Sequence, residues 1–202
     1  MHTLFLNLAS HEGLLACCTK KEVSSSRTVD HRIGDHELVP LFEQVLQEAK
    51  WTYNNLTHIA CVTGPGGFTS IRVAVTAANV LADQLQIPCA GIHLSDLYRV
   101  RSADPQTLWF HSTKKDQLFV RGGLWLEPTL VTLEDFESRI TNHESRIPKT
   151  WMGELIPEHR SIIDRLGMIP APLKELSTVL AGFLANISYE KKSLEPWYGR
   201  GW

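Results

Sequence analysis

The 202-residue chain is 43% hydrophobic, has a formal net charge of −2 and holds four cysteines. One large domain or two small ones fit that length, and the charge offers no general attraction to nucleic acid or anionic lipid; no run of like charges suggests a local basic patch. No stretch approaches the roughly twenty apolar residues of a membrane span, and Met1-His2-Thr3 lacks the basic start of a secretory signal, so a cytoplasmic protein with reduced, buried Cys17, Cys18, Cys61 and Cys89 is expected.

In chain order, residues 3–9 and 13–18 read as strands joined by Ser10-His11-Glu12, and a more polar strand follows near 21–29. Three strands with short links predict an antiparallel meander. The period then changes. Leu38, Leu41, Phe42, Val45, Leu46 and Ala49 recur on one face of a helix, with Asp35 as candidate N-cap and Pro40 in the first turn. His58–Thr63 predicts a strand. The loop "GPGGFTSIR" (64–72) leads into a helix over 69–85, with Thr69 as N-cap and Phe68 stapling onto Val73. A strand over 87–92 and a short helix over 94–101 follow.

Asp104-Pro105 marks the boundary between a lobe over 1–103 and a smaller one over 104–202. In the second, 107–111 and 117–126 read as strands. Thr132 and Asp135 open a helix that runs to Asn142. Residues 149–152 predict a short strand, 161–166 a helix stopped by Gly167, and 176–187 an amphipathic last helix.

The loop invites a nucleotide reading, which its spacing does not complete. No lysine supplies a Walker motif, and Thr69 stands where a dinucleotide fingerprint needs its last glycine. Backbone amides before a helix can still attract an anion. The simpler reading is that Gly64, Gly66 and Gly67 permit tight backbone geometry around Pro65. Nine histidines include no i, i+4 pair, and His31 and His36 lie in a polar stretch, so no metal site is read. Ser10-His11-Glu12 holds hydrolase residue types, but triads are assembled by geometry rather than adjacency. On the helix after the loop, Ser70, Ala74, Ala78 and Ala82 make a small-residue stripe beside Ala77. Such a stripe admits close approach, either by a partner helix or by the chain's own sheet.

These pieces coincide in one order. Residues 60–97, "ACVTGPGGFTSIRVAVTAANVLADQLQIPCAGIHLSDL", resemble the TsaB (YeaZ) family, as do "HELVPLFEQVLQEAKW" (36–51) and the ending "LEPWYGRGW" (194–202). The resemblance covers most of 1–101 and the extreme C-terminus. It implies an α/β actin–hexokinase–chaperone fold with two ribonuclease H-like lobes of mixed sheets, the second reduced. It also implies a non-catalytic scaffold and activator of TsaD, with which TsaB pairs, and with the ATPase TsaE, in making threonylcarbamoyladenosine beside the tRNA anticodon. No catalytic or metal-binding residue is carried over. The expected partner interface is Leu41, Val45, Ser70, Val73, Ala74, Ala77, Ala78 and Leu81. Gly64, Pro65, Gly66, Gly67, Thr69 and Arg72 are the residues for a shared nucleotide contact, with ATP or ADP and Mg²⁺ present only in the assembled complex. Contact with tRNA is expected to be indirect. Two alternatives stand beside this: a glycopeptidase-like enzyme of the M22 type, and a homodimeric interaction module.

This chain departs from the family pattern in places. Asn7-Leu8-Ala9 stands where Asp-Thr-Ser is usual, and neutral asparagine is a weaker ligand for a hard cation. Gly67 and Ser70 occupy the motif's serine and glycine places, and Val80 replaces a common glycine.

Overall fold

The computed structural model describes residues 1–29, 37–143 and 147–199. It divides into two compact units. One comprises Met1–Leu94 with Glu175–Trp197, and the other Ser95–Lys174 with Tyr198 and Gly199. The first is therefore not contiguous in sequence, unlike the split expected at 103/104.

In the first unit, β1 (Thr3–Asn7), β2 (Gly13–Cys18) and β3 (Val23–Val29) form the expected antiparallel meander. β4 (His58–Gly64) lies parallel to β1, and β5 (Cys89–His93) parallel to β4, giving the order β3-β2-β1-β4-β5. Every residue of β1 is buried, as a central strand covered on both faces requires. Edge strand β3 reads VSSSRTV, polar and buried only at Val29, which discourages further strand pairing. Helices α1 (Leu38–Glu48) and α6 (Leu176–Asn186) pack against β2 and β3, and α2 (Phe68–Leu85) packs chiefly on β4. The packing of α6 is what draws the C-terminal segment back into the first unit.

The second unit begins with α3 (Leu94–Arg99), whose first residue belongs to the first unit. β6 (Leu108–Lys114), β7 (Gln117–Gly122) and β8 (Trp125–Thr132) are antiparallel neighbours. β9 (Thr150–Glu154) lies parallel to β6, and β10 (Ile169–Pro170) parallel to β9. Counted from each unit's own first strand, both sheets run 3-2-1-4-5. Helices α4 (Leu133–Asn142) and α5 (Pro157–Arg165) supply Phe136, Ile140 and Ile163 to a core with Phe110, Trp125 and Trp151. Phe136 meets Phe110 edge-on at 5.3 Å and stacks on Trp125 at 5.7 Å.

Several expectations need correction. The run 117–126 is not one strand. Gly122 and Gly123, at φ of 103° and 58°, turn the chain, and β8 begins after them. Helix α5 starts at Pro157 rather than 161, because proline is favoured in a first helical turn. Helix α2 starts at Phe68 with Gly67 as an N-cap that makes no side-chain hydrogen bond, so Thr69 is not the cap. Phe68 is a helical residue, 57% exposed, with the Arg72 guanidinium 5.2 Å from its ring centre. It does not precede the helix as a staple would. Thr132 does cap α4, accepting the Asp135 amide at 3.2 Å. Asp35, His31 and His36 lie outside the described residues.

Candidate docking surface

The loop between β4 and α2 is held by its own chain. Gly64 sits at φ 142°, where a side chain would run into the Trp197 carbonyl oxygen. The Trp197 amide in turn donates to the Thr63 carbonyl at 2.8 Å. A side chain at Gly66 would enter the main chain of Ala9, approaching its Cα within 2.6 Å. These two glycines answer to backbone packing, and Pro65 between them is buried. Gly67, Thr69 and Arg72 are exposed, so the outer half of the loop faces solvent.

Asn7 ends β1 just beneath. Its side-chain Oδ1 accepts the backbone amides of Ala9 at 3.1 Å and Ser10 at 3.3 Å, and its side-chain Nδ2 donates to Ser10 Oγ at 2.7 Å. That is a closed local turn, the common use of asparagine beside its own backbone.

The small-residue stripe faces inward. Ala74 and Ala78 are 0% exposed, Ala82 is buried, and Val45 of α1 is wholly enclosed. The expectation that Ala74, Ala78 and Val45 present themselves to a partner is corrected: small side chains let α2 settle closely on its own sheet. Leu41 and Ser70 are half-buried.

One step around the helix lies a different surface. Val73, Ala77 and Leu81, all expected interface residues, line an open groove of about 510 Å³ between α1 and α2. Leu38, Val39 and Phe42 of α1, Tyr53, and Arg72, Thr76 and Val80 of α2 complete it. Val39 is 54% exposed and Val80 55%. Isolated exposed valines are ordinary on a protein surface, but two on facing helices across an apolar groove form a contiguous patch. Tyr53, Arg72 and Thr76 supply its polar side chains. Burial, then the Glu43 carboxylate, push the Tyr53 phenol up, so it stays neutral near pH 7. The exposed Arg72 supplies a cation at the loop end. Sequence periodicity pointed to the two helices; Val39 and Val80 were missed because neither sits on a buried stripe.

The second unit holds a polar cluster that no motif announced. His111 is buried, with Nδ1 3.4 Å from Glu154 Oε2, and the Tyr98 hydroxyl donates to Glu154 Oε1 at 2.8 Å. Burial, then the Glu154 charge, push the Tyr98 phenol far above its ordinary range, which keeps it a hydrogen-bond donor. The buried Trp109 ring stacks on His111 at 6.1 Å.

Comparison with known proteins gives this geometry its setting. The TsaD family model, tRNA N6-adenosine threonylcarbamoyltransferase, matches residues 31–120. A protein of Buchnera aphidicola subsp. Schizaphis graminum (strain Sg), named tRNA threonylcarbamoyladenosine biosynthesis protein TsaB, is 39% identical over 56 residues. A protein of the same name from Buchnera aphidicola subsp. Acyrthosiphon pisum (strain APS) is 31% identical over 91 residues. These alignments cover 28% and 42% of this chain and span 27% and 41% of the two relatives. A solved Pseudomonas aeruginosa structure, described as an uncharacterized protein with similarity to peptidase YEAZ, superposes with a TM-score of 0.68 over 98% of this chain and 99% of its own, at 18% identity. These matches support a TsaB (YeaZ) family assignment. A structure of YeaZ from Pseudomonas aeruginosa superposes with a TM-score of 0.52 over 65% of this chain and 64% of its own, at 20% identity. At those identities the structures speak to fold alone, and the fold is the two-lobed actin–hexokinase–chaperone type with a mixed sheet in each lobe. Among the described residues, no helix is long and apolar enough to cross a membrane.

Proposed function

We propose that this chain is a non-catalytic partner of a TsaD-type protein in threonylcarbamoyladenosine modification of tRNA, and that it docks through the α1/α2 groove. The observation that carries the reading is the groove itself, an apolar surface with Val39 and Val80 each more than half exposed on adjacent helices. Partner association buries such surface, at about 25 cal/mol per Å² removed from water. The TsaB-named relatives and the TsaD family match support placing the chain in this pathway, and the TsaD-type partner is part of the proposal.

The fold family implies a nucleotide and Mg²⁺ near the β4–α2 loop, and the residues here do not suit a site of the chain's own. Asn7 is neutral and bonded within its local turn, and Gly64 and Gly66 are taken up by close chain packing. We therefore assign no catalysis to this subunit. Any nucleotide contact belongs to the assembled complex, where Gly67, Thr69 and Arg72 face outward. Binding of tRNA falls to the partner, since a net charge of −2 supplies little phosphate attraction. TsaE joins as a further component, and the setting is cytoplasmic.

The test is binding of Val39→Glu and Val80→Glu to the same organism's TsaD-type protein by calorimetry. Both variants should fold normally and bind at least tenfold more weakly. Normal binding by both would remove the groove from the interface. Self-association lost in step with the same substitutions would mark this face as a homodimer surface instead.

A further inference from the structure

β5 is the last strand of its sheet, yet its outer edge is not bare. Residues 188–197 return from α6 and run along it. Cys89 and Glu190 exchange two backbone hydrogen bonds, each 2.9 Å, in an antiparallel bridge. The Cys89 thiol donates to the Lys192 carbonyl at 3.1 Å. Asn79 of α2 then grips the backbone of Leu194 from both sides: its Nδ2 donates to the Leu194 carbonyl at 3.0 Å, and its Oδ1 accepts the Leu194 amide at 2.8 Å. The segment ends against the loop that opens α2, where the Trp197 amide meets the Thr63 carbonyl.

Between Tyr189 and Trp197 this attachment is mostly polar and discontinuous. Glu190, Lys191, Lys192, Ser193 and Glu195 are exposed. Hollows of about 530 and 230 Å³ lie along the segment, one beside β5 and one beside the C-terminal half of α2. The segment's apolar anchors lie chiefly at its ends, where Tyr189 meets His58 edge-on at 4.6 Å and Trp197 meets His93 at 4.5 Å. The stretch between them, held mainly by hydrogen bonds, belongs to the low-stability end of local opening. Its release would leave its polar groups open to water and therefore satisfied, so opening need not involve the core.

We infer that residues 188–197 form a releasable strap, locked by Asn79, that sets how firmly α2 is held on the sheet and so tunes docking at the neighbouring α1/α2 groove. The coupling is direct in the chain, since Asn79 faces the strap and the next residue, Val80, faces the groove. The docking half of this inference rests on the proposed function; the strap half does not.

Cys89 reports the state of the strap. It lies under the segment, 4% exposed, and burial raises its thiol pKa, so it alkylates slowly while the strap is closed. Cys61, 0% exposed in β4, reports opening of the whole unit. The experiment follows iodoacetamide labelling of each cysteine by peptide mass spectrometry in the full chain and in Asn79→Ala. Loss of two neutral hydrogen bonds predicts a roughly ten- to hundredfold faster reaction at Cys89, with Cys61 unchanged. Leu194→Pro removes the amide that Asn79 accepts and should give the same selective increase from the strap side. An unchanged Cys89 rate in both variants, or Cys61 rising in parallel in both, overturns the strap. Affinity for the TsaD-type protein, measured on the same samples, should fall severalfold in both. Unchanged affinity with Cys89 demonstrably open overturns the coupling. No binding even by the unsubstituted chain overturns the docking reading and the coupling with it, and the strap then stands or falls on Cys89.

Discussion

Replacing Val80 by glutamate and, separately, Ala78 by glutamate puts the same charge on two faces of one helix. Val80 is 55% exposed, so a carboxylate there stays in water in the free protein. Substitutions at such positions usually change stability by no more than about 0.5 kcal/mol. Docking would enclose that carboxylate without a partner, at about 3 kcal/mol or more. Against a micromolar association near −8 kcal/mol, that loss weakens binding more than a hundredfold. Ala78 is 0% exposed, and a charged side chain there has neither room nor water. Its cost, again about 3 kcal/mol or more, falls on folding, where total stability is about 5–15 kcal/mol. Circular dichroism melts and calorimetric titration with the TsaD-type protein separate the two. Val80→Glu should melt normally and not bind; Ala78→Glu should melt early. A native melt for Ala78→Glu would show that the stripe is not core. Undiminished binding by Val80→Glu would show that the groove is not the docking face.

Further outcomes follow from the same geometry. Gly66→Ala should lower stability by about 1–3 kcal/mol, read from the denaturant midpoint, because the added methyl enters the Ala9 main chain. Burial, then the N-terminal charge and Lys20, hold the His58 pKa below its ordinary value. The unfolded state therefore binds the proton first, and stability falls as pH drops through about 6.5 towards the lower folded-state value. Denaturant melts at pH 5.5 and 7.5 should show that loss, and His58→Asn should reduce it. Purified protein with Mg²⁺ and ATP should release phosphate only at background; turnover that survives repurification and disappears in an Asn7→Ala variant would contradict the non-catalytic assignment.

Much of the first unit was legible because its signals are local. The buried faces of α1 and α2 repeat at helical spacing, and the apolar run Leu4-Phe5-Leu6 marks β1 as a strand. β8 was hidden for a physical reason. Pro128 and Glu127 spoil its pattern, yet as an edge strand it tolerates both. The small stripe on α2 was visible, but a helical period cannot say which neighbour receives it. The sheet does, which moves the candidate surface one strip round to Val73, Ala77, Val80 and Leu81. The Asn79–Leu194 grip joins positions 115 residues apart, and no spacing pattern links the two ends. The Tyr98–Glu154–His111 cluster is likewise assembled from separate elements and carries no spacing signature.

Co-expression of this chain with the TsaD-type protein of its own organism, followed by size-exclusion chromatography and native mass spectrometry, tests the central claim most directly. A stoichiometric heterodimer that forms with the native chain and is lost with Val80→Glu is the predicted result. Separate elution of the two proteins, or a heterodimer indifferent to Val80→Glu and Val39→Glu, would contradict it.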